Sequence, residues 1–366
     1  MYTFLPMILL VVTMLLGFGT EGSSLAAASA SWESTLAKAK EEGSVIVYGP
    51  GNEGLRRSMT KPFEDRYGIK VQYEGGRGSS QRAKITNQRA AGLYQADVWI
   101  SGFGSIEGID PADLFDPLEP ALLLPDVKDP KNWLNGFLWH DPNDRRFLAH
   151  SSRLFGGIAV HPDRVKPDEV TSLQDLLKPK YKGQIVSDDP RVPGVGQGLF
   201  TYLYMGKEFG FGPGYIKRLL EEQSPVLTRN GRQAADWVAQ GRYLLWPAPG
   251  QRDVMELKLR GVPLEHRCLR DGQWLSVGGG GVGLINQAPH PNSAVIYLNW
   301  LLGPEGQQLF SKDGDTASRR IDVASEIASC FVPQAGTDYF WVDKREALDT
   351  RKPSGELRKF LKSILN

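Results

Sequence analysis

Residues 45–100 read VIVYGPGNEGLRRSMTKPFEDRYGIKVQYEGGRGSSQRAKITNQRAAGLYQADVWI. The run Val45–Tyr48 is apolar without alternation, as expected of a strand buried on both faces of a parallel sheet. A glycine turn, residues 49–54, leads to a helix predicted from about Leu55 to Tyr67 and stopped by Gly68. Ile69–Tyr73 is a second strand. Residues 75–80 form another turn, and a helix follows to about Ala91, ended by Gly92. Asp97–Ile100 is the third strand. Strands alternating with helices in this way predict a doubly wound parallel sheet.

Working outward, Trp32–Glu42 reads as a helix ended by Gly43, whereas residues 110–150 are irregular and rich in Pro, Trp and Asn. A second α/β pattern begins at residues 157–160 (GIAV). It continues through a short helix at 173–177, strands at 183–186 and 243–246, and helices at 199–205, 215–222 and 233–239. The glycine-heavy stretch 275–285 suits a strand crossing between two halves, where backbone must approach backbone closely. Asn292–Leu302 is an apolar helix.

At 366 residues with 41% hydrophobic and 23% charged side chains, the chain has room for two domains of ordinary soluble character. Its net charge of +1, or +2 once Glu21 is removed with residues 1–30, gives no general attraction to nucleic acid or anionic lipid. The apolar run Phe4–Phe18 is short for a membrane span. With the polar stretch behind it and the small-residue pattern Ala28-Ser29-Ala30, it reads as a secretory signal peptide of residues 1–30, although Met1-Tyr2-Thr3 lacks Lys and Arg. A retained N-terminal anchor is the alternative. Cys268 and Cys330 stand either as a disulfide, closing a loop of about 60 residues worth roughly 4 kcal/mol, or as two buried thiols.

Four passages resemble a known family: 45–98; GGIAVHPDRV (156–165) followed by LKPKYKGQIVSDDPRVPGVGQG (177–198); LTRNGRQAADWVAQGRYLL (227–245); and VGLINQAPHPNSAVIYLNWLLGPEGQQLF (282–310). Together they resemble the periplasmic solute-binding proteins of ABC importers with the two-lobed type II fold, in the cluster of ferric-ion, thiamine and polyamine binders. The resemblance implies an α/β protein whose lobes, each a mainly parallel sheet flanked by helices, close over a ligand in the cleft between them. It places lobe 1 at residues 31–150 and 272–325, and lobe 2 at 151–271 and 326–366. It implies a periplasmic monomer that hands a small molecule to an importer permease in the membrane, with no catalysis, no cofactor and no nucleic acid. Ferric-ion members carry two adjacent tyrosines where this chain has Trp246-Pro247-Ala248-Pro249, and an acid or His where it has residues 50–52, so the metal site of that cluster is not matched here.

Ligands of open α/β sheets sit at the carboxyl ends of the strands. The candidate binding residues in lobe 1 are therefore Gly51, Asn52, Arg77, Ser79, Ser80 and Ser101. In lobe 2 they are Arg191, Gly194, Gly196, Gln197, Arg232, Trp246 and Arg252. Glycine amides, hydroxyls, helix starts and guanidinium groups favour an anionic or zwitterionic solute such as an organic acid, a phosphonate or a phosphate ester. A ferric-ion, polyamine or thiamine binder of the same fold is the alternative. From another class, residues 49–54 satisfy G-x-G-x-x-G with Glu74 at the spacing of a ribose-binding acid, the mark of an NAD-dependent enzyme. The five His show no metal-ligand spacing, and no G-x-S-x-G elbow is present.

Overall fold

The computed structural model describes residues 19–250, 254, 261–271, 273–314, 316–325, 331–334 and 336–365, with side chains from residue 30 onward. The apolar run 4–18, Arg252 and Cys330 lie outside the described residues. The N-terminal helix Gly19–Glu42 continues through Ala30, where the leader is expected to end. No helix among the described residues is long and apolar enough to cross a membrane.

Three strands of the first lobe, β1 (Ser44–Pro50), β2 (Lys70–Gly76) and β3 (Val98–Ser101), lie parallel in the order β2-β1-β3. Their continuous apolar runs divide between two cores because successive side chains point to opposite faces. Val45, Val47, Val98 and Ile100 pack with Tyr297, Leu298 and Leu301 of the helix Pro291–Leu302. Tyr48 and Trp99 pack on the other face with Ile85, Phe115 and Phe147. The sheet is completed by β13 (Gly281–Leu284), β5 (Leu148–Ala149) and β4 (Leu138–Trp139), which join antiparallel, so the doubly wound parallel part is confined to its first three strands. The single helix expected over 55–67 is two, Glu53–Ser58 and Lys61–Tyr67. Pro62 has no N–H and its ring crowds the preceding turn, so it begins a helix rather than continuing one.

The second lobe repeats the logic with other directions. β7 (Gly157–Val160) lies between β10 (Leu245–Pro247) and β11 (Glu265–Cys268), antiparallel to both. β8 (Val186–Asp188) and β9 (Val226–Thr228) run parallel beside them, reached by the Ile185–Leu245 bridge. Ile158 and Val160 face Leu199, Phe200 and Leu203, together with Leu357 and Leu361 of the C-terminal helix Glu356–Ile364. Ala159 faces Ala234, Ala235, Val238 and Trp246. Cys268 is not a free thiol.

Between the lobes lies a four-stranded sheet in the order β14 (Ala317–Ser318), β6 (Ser151–Phe155), β12 (Trp274–Ser276), β15 (Phe340–Trp341). The chain passes from β5 to β6 through His150 alone, and from β12 to β13 through residues 277–280. The second crossing needs its glycines. A Cβ on Gly102 would stand 2.0 Å from the Gly278 carbonyl oxygen, one on Gly280 would stand 1.8 Å from Ser151 Oγ, and Gly278 itself has φ +57°. Asp343, just beyond β15, fastens this crossing: its Oδ2 accepts from Ser276 Oγ at 2.8 Å and from the Val277 amide at 2.6 Å.

Candidate functional site

Where the crossing strands meet the carboxyl ends of both lobes' strands, a cleft of about 1020 Å³ opens. Its first-lobe wall is Ser79 and Arg82, from the start of the helix Gly78–Ala90, with Gly102, Gly104, Ser105 and Glu107 from the loop after β3. Residues 191–195, Gln197 and Gly198 form the second-lobe wall. Arg153, Phe155, Trp274 and Ser276 of the central sheet make the floor. Arg351, Lys352 and Arg358, from the end of the chain, close one side. A smaller hollow of about 410 Å³ shares Arg153, Val195 and Gly278 with the cleft and reaches Pro50, Asn52, Ser151 and Phe310.

The second-lobe wall is built by a helix that starts earlier than its apolar residues suggest. Val195–Met205 begins directly after Gly194, whose φ of 151° and ψ of −163° belong to a region open only to glycine. A Cβ on Gly196 would stand 2.4 Å from the Asp188 carbonyl oxygen, and one on Gly198 would stand 2.5 Å from the Trp274 ring. The two glycines seat the helix on β8 and on the floor. Trp274 is stacked on Phe155 with centroids 4.1 Å apart.

The charge of this lining is one-sided. The lining residues include Arg82, Arg153, Arg191, Arg351, Lys352 and Arg358 against Glu107 and Asp343, although Arg191 and Lys352 also pair with Asp189 and Asp349 behind the wall, so the cleft is an attractive place for an anion. The cations are not equally available. Arg191 is held by Asp189 in a two-toothed pair, Nε at 2.9 Å and Nη2 at 3.1 Å, and its Nη1 reaches the Leu365 carbonyl at 3.1 Å. Arg351 gives Nε to Thr201 Oγ1 at 3.0 Å and Nη2 to the Val342 carbonyl, and burial pulls its guanidinium below the ordinary value. Arg82 gives Nη1 to the Glu107 carbonyl at 3.0 Å. Arg153 gives Nη2 to the Gly314 carbonyl at 3.2 Å and lies over the Phe155 ring.

Of the residues expected at the site, Ser79, Arg191, Gly194 and Gln197 line the main cleft, and Asn52 lines the adjoining hollow. Asn52 is committed locally: its Oδ1 caps the Gly54 and Leu55 amides at 2.9 and 3.3 Å, and its Nδ2 donates to the Asp313 carbonyl at 2.7 Å. Gly51 packs on the backbone of Gly75 and Gly76. Arg77 and Ser80 are exposed and do not line the cleft. Ser101 is buried and gives its hydroxyl to Ser105 at 2.7 Å. Gly196 serves packing, and Arg232 is 3.8 Å from Asp236 one helical turn away. Trp246 is a correction. It is 0% exposed, it sits in the core of the second lobe, and its Nε1 donates to Asp188 Oδ2 at 2.8 Å, so it cannot stack on a ligand. The floor and closing residues Arg153, Phe155, Trp274, Arg351 and Arg358, and Glu107 of the first-lobe wall, escaped the sequence reading. The one available signal was the alternation of Arg153 and Phe155 in a strand preceding the GGIAV run.

Two other constellations have the look of chemistry. In the turn 49–54 the Gly54 amide, like that of Leu55 just beyond it, is bonded to Asn52 Oδ1, and Glu74 is paired with Lys84 at 2.5 Å. Ser44 Oγ lies 3.2 Å from His290 Nε2, and His290 Nδ1 lies 2.9 Å from Asp97 Oδ2, the outline of a charge relay. Asp97 also accepts the amides of Ile46 at 2.6 Å and His290 at 2.8 Å, which ties β1 to the start of the helix Pro291–Leu302. This strap sits at the amino end of β1, opposite the cleft. Among the described residues no group of three or more His, Cys, Asp or Glu is placed to hold a metal ion.

Comparison with known proteins agrees with this architecture. Residues 45–314 match the family described as bacterial extracellular solute-binding protein. An uncharacterized protein of Haemophilus influenzae is 25% identical over 299 residues, 79% of this chain and 81% of its own. Among solved structures, Trichodesmium FutA in complex with iron and citrate superposes with a TM-score of 0.67 at 19% identity, covering 88% of this chain and 99% of FutA. The periplasmic binding protein AfuA of Actinobacillus pleuropneumoniae, solved with fructose-6-phosphate, gives 0.60 at 23% identity, with 88% and 99% covered.

Proposed function

The chain belongs to the bacterial extracellular solute-binding proteins, and from that premise we propose that it captures a small anionic solute, an organic acid, phosphonate or phosphate ester, by closing its two lobes. Its role is that of the solute-binding component of an ABC importer. One observation carries the choice of ligand: six cationic side chains and only two acidic ones line the interlobe cleft. Guanidinium groups suit carboxylate and phosphate oxygens, and partial burial strengthens such pairs. A polyamine would meet repulsion there. The bound fructose-6-phosphate of AfuA is of the proposed kind, and iron with citrate in FutA keeps a ferric chelate open as a second anionic cargo.

The core clusters support lobe boundaries at 31–150 with 272–325 and at 151–271 with 326–366, since Leu357 and Leu361 pack in the second lobe and Val282 and Tyr297 in the first. Residues 1–30 serve as the export signal in this reading, and the mature protein works as a periplasmic monomer facing its permease.

Thermal melting of the purified mature chain tests the proposal. Glycerol 3-phosphate, fructose 6-phosphate, citrate, Fe(III), Fe(III)-citrate, spermidine, thiamine and NAD⁺ are compared. A ligand present at about 100 times its dissociation constant adds roughly 2.7 kcal/mol. Stabilisation by one or more of the anions is expected. Stabilisation by spermidine, thiamine, bare Fe(III) or NAD⁺ alone would overturn the reading, as would none at all.

A further inference from the structure

An acid in a cleft built for anions needs a reason. Of the two that line it, Asp343 is engaged: one oxygen accepts from Ser276 and Val277, and the other is 3.9 Å from Arg351. Glu107 is different. Its carbonyl anchors Arg82, while its half-buried carboxylate makes no hydrogen bond or close ion pair among the described residues. Burial raises its pKa above the ordinary value, helped by the nearby charge of Asp349 and opposed by Lys352, Arg351 and Arg82. In its ionised form a carboxylate on this wall repels any bare anion that enters.

That cost is recovered only if the ligand brings a donor, because a carboxylate can only accept. An ammonium donor would add positive charge beside Arg82, Arg351 and Lys352. A hydroxyl donor adds none, and hydroxyl-to-carboxylate bonds are short and strong. Resting on the anion reading above, we propose that Glu107 accepts a hydrogen bond from a ligand hydroxyl, so that the cleft selects anions that also carry hydroxyls, polyol phosphates or hydroxy acids, over bare anions of the same size. Glu107 is thus a specificity residue, whereas the arginines hold the charge.

Isothermal titration of the mature protein and of Glu107→Gln and Glu107→Ala provides the test. The ligand pairs are glycerol 3-phosphate against n-propyl phosphate and tartrate against succinate, with O-phosphoethanolamine as the ammonium arm. The two pairs separate a phosphate ester from a carboxylic acid as the source of the anion. The wild-type protein is expected to prefer the hydroxylated member of at least one pair by about tenfold or more. E107A should reduce that preference to within about threefold and bind the bare member more tightly, with E107Q between the two. Unligated melting temperatures equal to wild type establish that both variants are folded. An undiminished preference in both variants overturns the inference while leaving the anion reading intact. A preference for O-phosphoethanolamine that vanishes in E107A makes the donor an ammonium and overturns it too. Failure of every anion to bind the wild type removes the anion reading itself, and this inference with it.

Discussion

Arg153 and Arg191 line the same cleft from its floor and from its second-lobe wall, yet they are not equivalent. Arg191 sits in a turn two residues after Asp189, which takes two of its guanidinium nitrogens, while the Leu365 carbonyl takes the third. Arg153 sits on β6 in the floor, and its Nη2 donates to the Gly314 carbonyl at 3.2 Å. The difference teaches that two charges lining one cavity can be anchored by quite different parts of the chain. A turn brings its own counter-ion from two residues away, whereas a strand between two lobes takes its partners from distant parts of the chain.

Substitutions sharpen this contrast. Arg153→Ala is expected to weaken glycerol 3-phosphate, or whichever anion binds, by about 10- to 100-fold, in line with roughly 1.5–3 kcal/mol for a hydrogen bond to a charged group. Titration calorimetry reads that loss, and an effect below threefold would make floor and wall alike. Arg191→Ala should act in the opposite sense. It removes the partner of a buried carboxylate, so urea unfolding should show about 1–2 kcal/mol less stability, with affinity changed less than threefold.

Acid separates the same two regions by pH. Burial by itself would push Asp189 up, but hydrogen bonds from the Arg191 side chain and amide and from Arg229 outweigh it and hold the carboxyl at about 2. The unfolded value is about 3.9, so this pair contributes stability present above pH 4 and lost as pH falls towards 2. His150, at the crossing, and His266 are lowered by burial to about 3 and about 4. Their unfolded forms take the proton first, near pH 6.5, so stability from these two declines earlier, from pH 6.5 towards 3. Arg191→Ala should flatten only the lower part of a melting-temperature profile between pH 7 and 2.5. A profile changed equally throughout would show that Asp189 is not governed by that pair. The smallest effect belongs to Arg77→Ala: it is exposed and off the cleft, and should change stability by less than about 0.5 kcal/mol and leave anion affinity unaltered.

Much of the fold could be read from residues 45–100 because local pattern and final burial agree there. Val45, Val47, Val98 and Ile100 are apolar for one core, and Tyr48 and Trp99 for the other. Trp246 illustrates what pattern cannot separate. A tryptophan at a strand end looks alike whether it meets a ligand or a core, and its fate was decided by Asp188, which is 58 residues away. The wall of the cleft was partly legible, since Ser79, Arg191, Gly194 and Gln197 lie in turns at strand ends. The floor was not. Arg153 of the floor meets Glu107 of the first-lobe wall and Arg351 of the closing side only through two chain crossings and a C-terminal segment returning from about 200 residues away, and no window of sequence contains that meeting.

The bond from Asp343 to Ser276 and Val277 reaches beyond local order. It laces the last returning segment to its neighbour just where β12 leaves the second lobe. Ribbons joined edge to edge resist shear and stretch while still yielding to torsion along their length, as a leaf spring does. If the lobes close as proposed, that motion would be channelled into one soft coordinate, with little of the grip on a solute lost in sideways play.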